Sequence, residues 1–311
     1  MTFNDAKGLS HLTRVTDLKS TAITFILELA EALKTTNSSP LLLKEKSIAL
    51  CFFENSTRTR ISFEQAIHKL GGFPIDFKPQ ESSLAKGESF EETLHTLKAL
   101  EISAIISRHS NDDFSKKIAE YHILPVVNAG DGIVAHPTQA LLDSLTLKSK
   151  WNSLEGKQIL ILGDILHSRV ARSHYELSQI LNYNVKVAGP EEWIPSWAKQ
   201  SITKDWKSFI NDFDAILCLR VQKERMENHT TNDDYLKNYT FRESELKKIK
   251  RPYLLHPGPV NWGIELCESA LKHPQCLIHE QVRNGLYLRM ALLSYLLNPV
   301  ESKKWKNNNG P

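Results

Sequence analysis

The sequence predicts an α/β protein made of two open parallel-sheet domains with a cleft between them, on three observations. Short continuous apolar runs alternate with longer stretches of helical period through most of the chain. That alternation occurs twice, in two halves separated by a polar stretch near Lys148–Lys157 that holds Gly156. The chain is also 311 residues long, more than a single hydrophobic core usually organises.

The elements follow in order. Ser47–Phe53 (SIALCFF) is apolar on both faces of an extended chain, which suits a strand covered from both sides. Thr57–Leu70 has the spacing of an amphipathic helix. A strand at Pro74–Phe77, a helix at Phe90–Leu100 and a strand at Ala104–Ser107 come next. A short helix at Phe114–Tyr121, a strand at Pro125–Asn128 and a helix at Thr138–Lys150 complete the first half. The second half reads as strand Gln158–Leu162, helix Arg169–Leu181, strand Val185–Ala188, a short helix around Trp206–Ile210, and strands Ala215–Leu219 and Tyr253–Leu255. The last strong helix, Gln281–Leu297, is apolar on one face and is expected to pack back on the first domain. The tail SKKWKNNNGP is polar and expected to fray. The expected domains are 1–147 with a C-terminal helix at 286–311, and 148–285.

Composition narrows the function classes. Apolar residues make up 41% and charged residues 24%, which suits a folded globular chain. The 39 basic and 36 acidic side chains leave a net charge of +3, too little to point to nucleic acid or a membrane surface. No apolar run approaches the roughly 18 residues of a membrane span. The N-terminal stretch lacks the apolar core of a secretory signal. Cys51, Cys218, Cys267 and Cys276 form no CxxC pair, and Cys51 and Cys218 lie in apolar runs as buried thiols do. A reducing, cytoplasmic setting fits.

Open parallel sheets hold ligands beyond the carboxyl ends of their strands, so the polar residues there carry the chemistry. The sharpest run is Glu54-Asn55-Ser56-Thr57-Arg58-Thr59-Arg60, where a strand gives way to a helix. Free N–H groups of a first helical turn, with hydroxyls and arginines beside them, favour a phosphate. Capping alone explains one hydroxyl, not three with two arginines. Further along stand Ser82 and Lys86 in ESSLAKGES, and Arg108 after a strand, with His109 beside it read as structural. His136 and Gln139 lie in HPTQ behind NAGDG. The second half contributes Arg169 in GDILHSRVARS, Arg220 and Gln222 in RVQKER, and Pro257 and Gly258 in HPGP. The GxGxxG spacing of dinucleotide sites and the Walker A motif are absent.

FFENSTRTRISFE closely resembles the phosphate-binding signature of the aspartate and ornithine carbamoyltransferase family, with Asn55 where the aspartate branch commonly has proline. Seven segments match in order, from about Leu12 to Met290. The resemblance implies transfer of a carbamoyl group from carbamoyl phosphate to an amine, in de novo pyrimidine synthesis if the acceptor is L-aspartate. It assigns carbamoyl phosphate to Ser56, Thr57, Arg58, Thr59, Ser82, Lys86, Arg108, His136, Gln139, Pro257 and Gly258. Of these, Arg58, Thr59, Lys86, Arg108 and His136 take catalytic roles. Aspartate falls to Lys86, Arg169, Arg220 and Gln222. The RVQKER and HPGP segments favour the aspartate branch over an ornithine-type enzyme, whose loop carries a cysteine. A silent scaffold homologue is the other alternative, against which Arg58 and Lys86 speak.

The resemblance further implies a homotrimer in which Lys86 completes a neighbour's site, with a regulatory chain or a dihydroorotase as a possible partner. Neither a metal nor an organic cofactor is implied. Glu54 is expected to pair with Arg169 or Arg225 as the cleft closes.

Overall fold

Two four-stranded parallel sheets carry the loops that follow their strands. The computed structural model describes residues 11–36, 40–222 and 233–310. The chain divides into two units, Met1–Leu141 with Asn284–Pro311, and Leu142–Arg283.

The first unit opens with helix α1 (Ser20–Thr35), which buries Ile23, Ile26, Leu27, Leu29 and Leu33. Strand β1 (Ser47–Phe52) leads to α2 (Thr57–Lys69), then β2 (Phe73–Phe77), α3 (Phe90–Ala99), β3 (Ile102–His109), α4 (Phe114–Ala119), β4 (Val126–Asp131) and the first turn of α5 (Pro137–Trp151), whose remainder belongs to the second unit. The sheet runs in the order β2-β1-β3-β4, with each pairing parallel. Between strands and helices, Ala49, Cys51, Leu94, Leu97, Ile105, Ile118 and Val126 form a buried cluster. Continuous burial along the middle of β1 and β3 is why their sequences read as unbroken apolar runs.

The second unit contains β5 (Gln158–Leu162), α6 (Arg169–Leu181), β6 (Asn184–Ala188), β7 (Ala215–Cys218), α7 (Asp233–Asn238), α8 (Glu243–Leu246), β8 (Tyr253–Leu255) and the start of α9 (Ile278–Leu297). Its sheet repeats the same logic as β6-β5-β7-β8, again with parallel pairings. Leu160, Leu162, Trp206, Ile216, Phe241 and Leu254 belong to its buried core.

Two expectations are corrected. Trp206–Ile210 is not a helix: residues 206–209 form turns, followed by a 3-10 turn at Ile210–Asp212. Trp206 is instead an anchor, 2% exposed, whose indole N–H donates to the Asn238 carbonyl at 3.1 Å. The polar tail does not fray but forms α10 (Pro299–Asn309), with proline in its first turn. Tertiary contacts supply what composition lacks. Lys306 pairs with Glu28 and lies 5.2 Å from the Phe25 ring centre, and the Asn298 side-chain amide donates to the Leu42 carbonyl at 3.1 Å. The C-terminal part of α9, from Asn284, belongs to the first unit, with the Arg289 guanidinium 4.9 Å from the Phe63 ring centre.

Candidate active site

In an open parallel sheet the ligand crevice lies where the winding reverses, beyond the strand C-termini. In the first unit that point falls between β1 and β3. Phe52 pairs with Arg108, and the Phe53 N–H donates to the Arg108 carbonyl at 2.9 Å. The loop Glu54–Ser56 and Arg108 therefore leave from adjacent strand ends. Ser56 occupies the cap position of α2, yet its side chain makes no capping hydrogen bond. The positive end of the helix dipole is thus left for another acceptor. Thr57 and Arg58 are exposed on that first turn, and Thr59 is buried beneath them. Arg108 donates from Nη1 to the Ala129 carbonyl at 2.9 Å and keeps Nε 3.3 Å from Glu54 Oε2. Arg60, the last residue of the run, is structural, bonding to Glu64 one turn along and to Asp76 on β2.

The loop after β4 brings His136 and Gln139 to the start of α5. The His136 carbonyl accepts the N–H groups of Gln139 and Ala140 at 3.1 and 3.3 Å, and both functional side chains are buried. The segment Ser110–Asp113 braces this loop. Asp112 Oδ1 accepts the Ile133 N–H at 2.8 Å, and a Cβ on Gly132 (φ +44°) would fall 1.8 Å from that oxygen. Asp113 pairs with Arg14 at 2.9 Å. His109 is structural, stacked on Phe114 at 4.2 Å between ring centres and accepting the Asn111 N–H at Nδ1. Burial pushes its pKa down, against the pull of Glu54.

Ser82 and Lys86 stand on a separate segment. Ser82 caps a single 3-10 turn, Ser83–Lys86, and donates to the Pro79 carbonyl at 2.7 Å. Lys86 ends that turn with its side chain exposed, followed by Gly87 in the left-handed conformation.

The second unit has its own reversal, between β5 and β7. After β5, Ser168 caps α6 by accepting the Ala171 N–H at 3.2 Å, and Arg169 is the first helical residue, 6% exposed. After β7 come Arg220 and Gln222, both half-buried. Asp164, fully buried, joins the two loops. Its Oδ1 lies 2.8 Å from His167 Nδ1, and its Oδ2 accepts the Gln222 N–H at 3.2 Å. After β8 the His256–Pro259 loop turns sharply through a cis Gly258–Pro259 bond. His256 Nδ1 accepts the Gly258 N–H at 2.9 Å, leaving Pro257 and Gly258 half-buried. Arg225 lies outside the described residues. Among the described residues, no group of three or more His, Cys, Asp and Glu side chains is placed to hold a metal ion.

Known families match both units. The carbamoyl-P binding domain of aspartate/ornithine carbamoyltransferase matches residues 10–149, and the Asp/Orn binding domain matches residues 155–296. The chain belongs to the aspartate/ornithine carbamoyltransferase family. Within that family it is 43% identical over 262 residues to the aspartate carbamoyltransferase catalytic subunit of Akkermansia muciniphila, covering 82% of this chain and 84% of the relative. It is 39% identical over 296 residues to the Thermus thermophilus catalytic subunit, covering 93% and 98%.

Aspartate transcarbamoylase from Trypanosoma cruzi, solved with carbamoyl phosphate and aspartate, superposes with a TM-score of 0.84 at 27% identity over 93% of this chain and 97% of that one. Ornithine carbamoyltransferase from Pyrococcus furiosus gives the same TM-score at 25% identity, over 94% and 98%. The family fold therefore does not choose the acceptor.

Three features of this family member escaped the sequence. The Glu54–Arg108 pair needed the β1–β3 register. Asp164 sits in a segment singled out only for Arg169, and its burial was not signalled. Glu265, 1% exposed, lies in a loop where an acidic residue reads as solvated.

Proposed function

We propose that the chain transfers the carbamoyl group of carbamoyl phosphate to the α-amino group of L-aspartate, giving N-carbamoyl-L-aspartate and phosphate. One observation carries this reading: two arginines, Arg169 and Arg220, leave the ends of neighbouring strands and share Asp164 as a brace between their loops. Two guanidinium groups suit the two carboxylates of aspartate, and neither suits the cationic side chain of ornithine. The relatives named as aspartate carbamoyltransferases support the same acceptor.

The chemistry follows from the residues. In the carbamoyl phosphate domain, Ser56, Thr57, Arg58 and the N–H groups of the first α2 turn hold the phosphate. Gln139 and the carbonyls of Pro257 and Gly258 hold the carbamoyl NH2. The neutral amine of aspartate, bound by Arg169, Arg220 and Gln222, attacks the carbamoyl carbon. A C–N bond forms, and the carbonyl oxygen gains negative charge. Thr59, Arg108 and His136 donate to that oxyanion, a contribution of about 3–4 kcal/mol for a well-placed donor. The C–O bond to phosphate then breaks, and the departing phosphate takes the amine proton. Holding both substrates in line adds several kcal/mol, on the order of what positioning supplies in bimolecular reactions.

Ser82 and Lys86 act in a neighbouring protomer's site, which makes the enzyme a homotrimer. The edge strand β2 supports an assembly through this face: Phe73 and Ile75 are 58% and 41% exposed, with Ile61 on α2 at 50%. The free cysteines fit a cytoplasmic enzyme of pyrimidine synthesis, where a regulatory chain or a dihydroorotase is a fitting partner.

The test supplies carbamoyl phosphate with L-aspartate, L-ornithine or N-acetyl-L-ornithine and identifies products by mass spectrometry. Carbamoyl aspartate alone is expected. Citrulline or its acetyl form as main product would replace this reading with the ornithine-type one, and no product would favour a silent scaffold.

A further inference from the structure

Glu265 is a buried carboxylate with no role in the chemistry above and with donors drawn from two different loops. Its Oε1 accepts the Val221 N–H at 2.8 Å and the Asn261 side-chain amide at 2.7 Å. Its Oε2 accepts the Asn261 N–H at 2.6 Å and lies 3.3 Å from His256 Nε2. Because His256 Nδ1 accepts the Gly258 N–H, the proton of a neutral imidazole belongs on Nε2, facing the carboxylate. Val221 is the residue between Arg220 and Gln222, while His256 opens the HPGP turn and Asn261 lies just after it. The carboxylate therefore fastens the loop after β7 to the loop after β8.

An acidic side chain this buried is tolerated where N–H groups fill its oxygens, as they do here. The turn it stands on is fixed independently. The Glu265 N–H donates to the Asn261 carbonyl at 3.2 Å, and the Phe241 N–H donates to the Glu265 carbonyl at 2.9 Å. A second brace reaches the same loop from behind, with the His256 N–H donating to Gln281 Oε1 at 3.0 Å. The clamp is therefore anchored on one side, and the Arg220–Gln222 loop is the part it positions.

We propose that Glu265 is a positioning residue for the acceptor: it sets Arg220 and Gln222 at the distance from the HPGP turn that aspartate binding requires. This rests on the assignment of Arg220 and Gln222 to aspartate. Glu265→Gln keeps the shape but turns an N–H2 group toward donors, so at least one of the three bonds is lost.

The experiment measures KM for each substrate and kcat, after wild-type carbamoyl aspartate formation and the effect of Arg220→Ala have been recorded. Glu265→Gln should raise the aspartate KM about tenfold or more, the scale of an unsatisfied buried partner. The carbamoyl phosphate KM should stay within about twofold, a split that general loosening of the fold would not produce. An unchanged aspartate KM, or equal rises for both substrates, overturns the proposal. If Glu265→Gln does not fold, Asn261→Ala decides, with a smaller rise expected for aspartate alone and none overturning it. An Arg220→Ala enzyme with normal aspartate binding would instead refute the underlying site assignment.

Discussion

Replacing Glu54 by glutamine asks whether the ion pair beside the phosphate loop orients Arg108. The carboxylate lies 3.3 Å from Arg108 Nε, with the arginine and glutamate side chains 13% and 22% exposed. At that separation and an effective dielectric of about 20, the attraction is about 5 kcal/mol before desolvation is subtracted. The net loss is smaller because Arg108 keeps its second anchor, the Ala129 carbonyl at 2.9 Å. About 1–3 kcal/mol is the range for leaving a buried polar group without its partner. At tenfold per 1.4 kcal/mol, kcat/KM for carbamoyl phosphate should fall about 5- to 150-fold. Glutamine conserves volume, so packing adds little; Glu54→Ala should fall at least as far. Steady-state rates with each substrate varied in turn provide the assay. Wild-type kinetics within about twofold in both variants would refute the reasoning, leaving Ala129 as sufficient support. A change confined to aspartate saturation would instead favour the pairing of Glu54 with Arg169 or Arg225 on closure.

Other outcomes follow from single observations. Gly163→Ala places a Cβ 2.8 Å from Tyr235 Oη at φ +115°, so urea unfolding should show a loss of about 1–3 kcal/mol. An unchanged midpoint would contradict it. Burial opposes ionisation of Asp214, but the Gln158 N–H, Arg251 and Lys157 outweigh it and lower the pKa. A lowered folded pKa stabilises above the ordinary carboxylate value and is lost as pH falls through the folded one. Wild type and Asp214→Asn should therefore differ in stability near neutral pH and converge in acid; a constant difference would contradict the linkage. Burial also pushes the thiols of Cys51 and Cys218 up, so neither should react with Ellman's reagent in the native enzyme. Mixing Lys86→Ala with His136→Ala subunits should restore activity through hybrid sites if Lys86 serves a neighbour, and should restore none if each chain is self-sufficient.

The strands were largely legible because a strand buried on both faces leaves an unbroken apolar run. Gln158–Leu162 and Tyr253–Leu255 match β5 and β8 to the residue, and Ser47–Phe53 overran β1 by one. What failed depended on long-range contacts. α10 is polar and held by Lys306 and Asn298, whose partners Glu28 and Leu42 lie more than two hundred residues away. The apolar neighbours of Trp206 are spaced as in a helix, yet it is a core anchor set in turns. The site divides in the same way. The residues proposed to meet a substrate, among them Ser56–Thr59, Arg108, His136, Arg169 and Arg220, lie in recognisable strings after strands. Residues that hold those in place, Asp164 and Glu265, work through backbone N–H groups of other loops, and no local spacing marks that.

In the proposed reaction the carbamoyl carbon passes intact to the amine of aspartate. Carbamoyl phosphate labelled with carbon-13 at the carbonyl, incubated with enzyme and L-aspartate, tests it directly by NMR. A ureido carbon bonded to the aspartate nitrogen is expected, appearing in step with one phosphate released. Phosphate release with the label recovered as bicarbonate, and no ureido signal above an enzyme-free control, would contradict it.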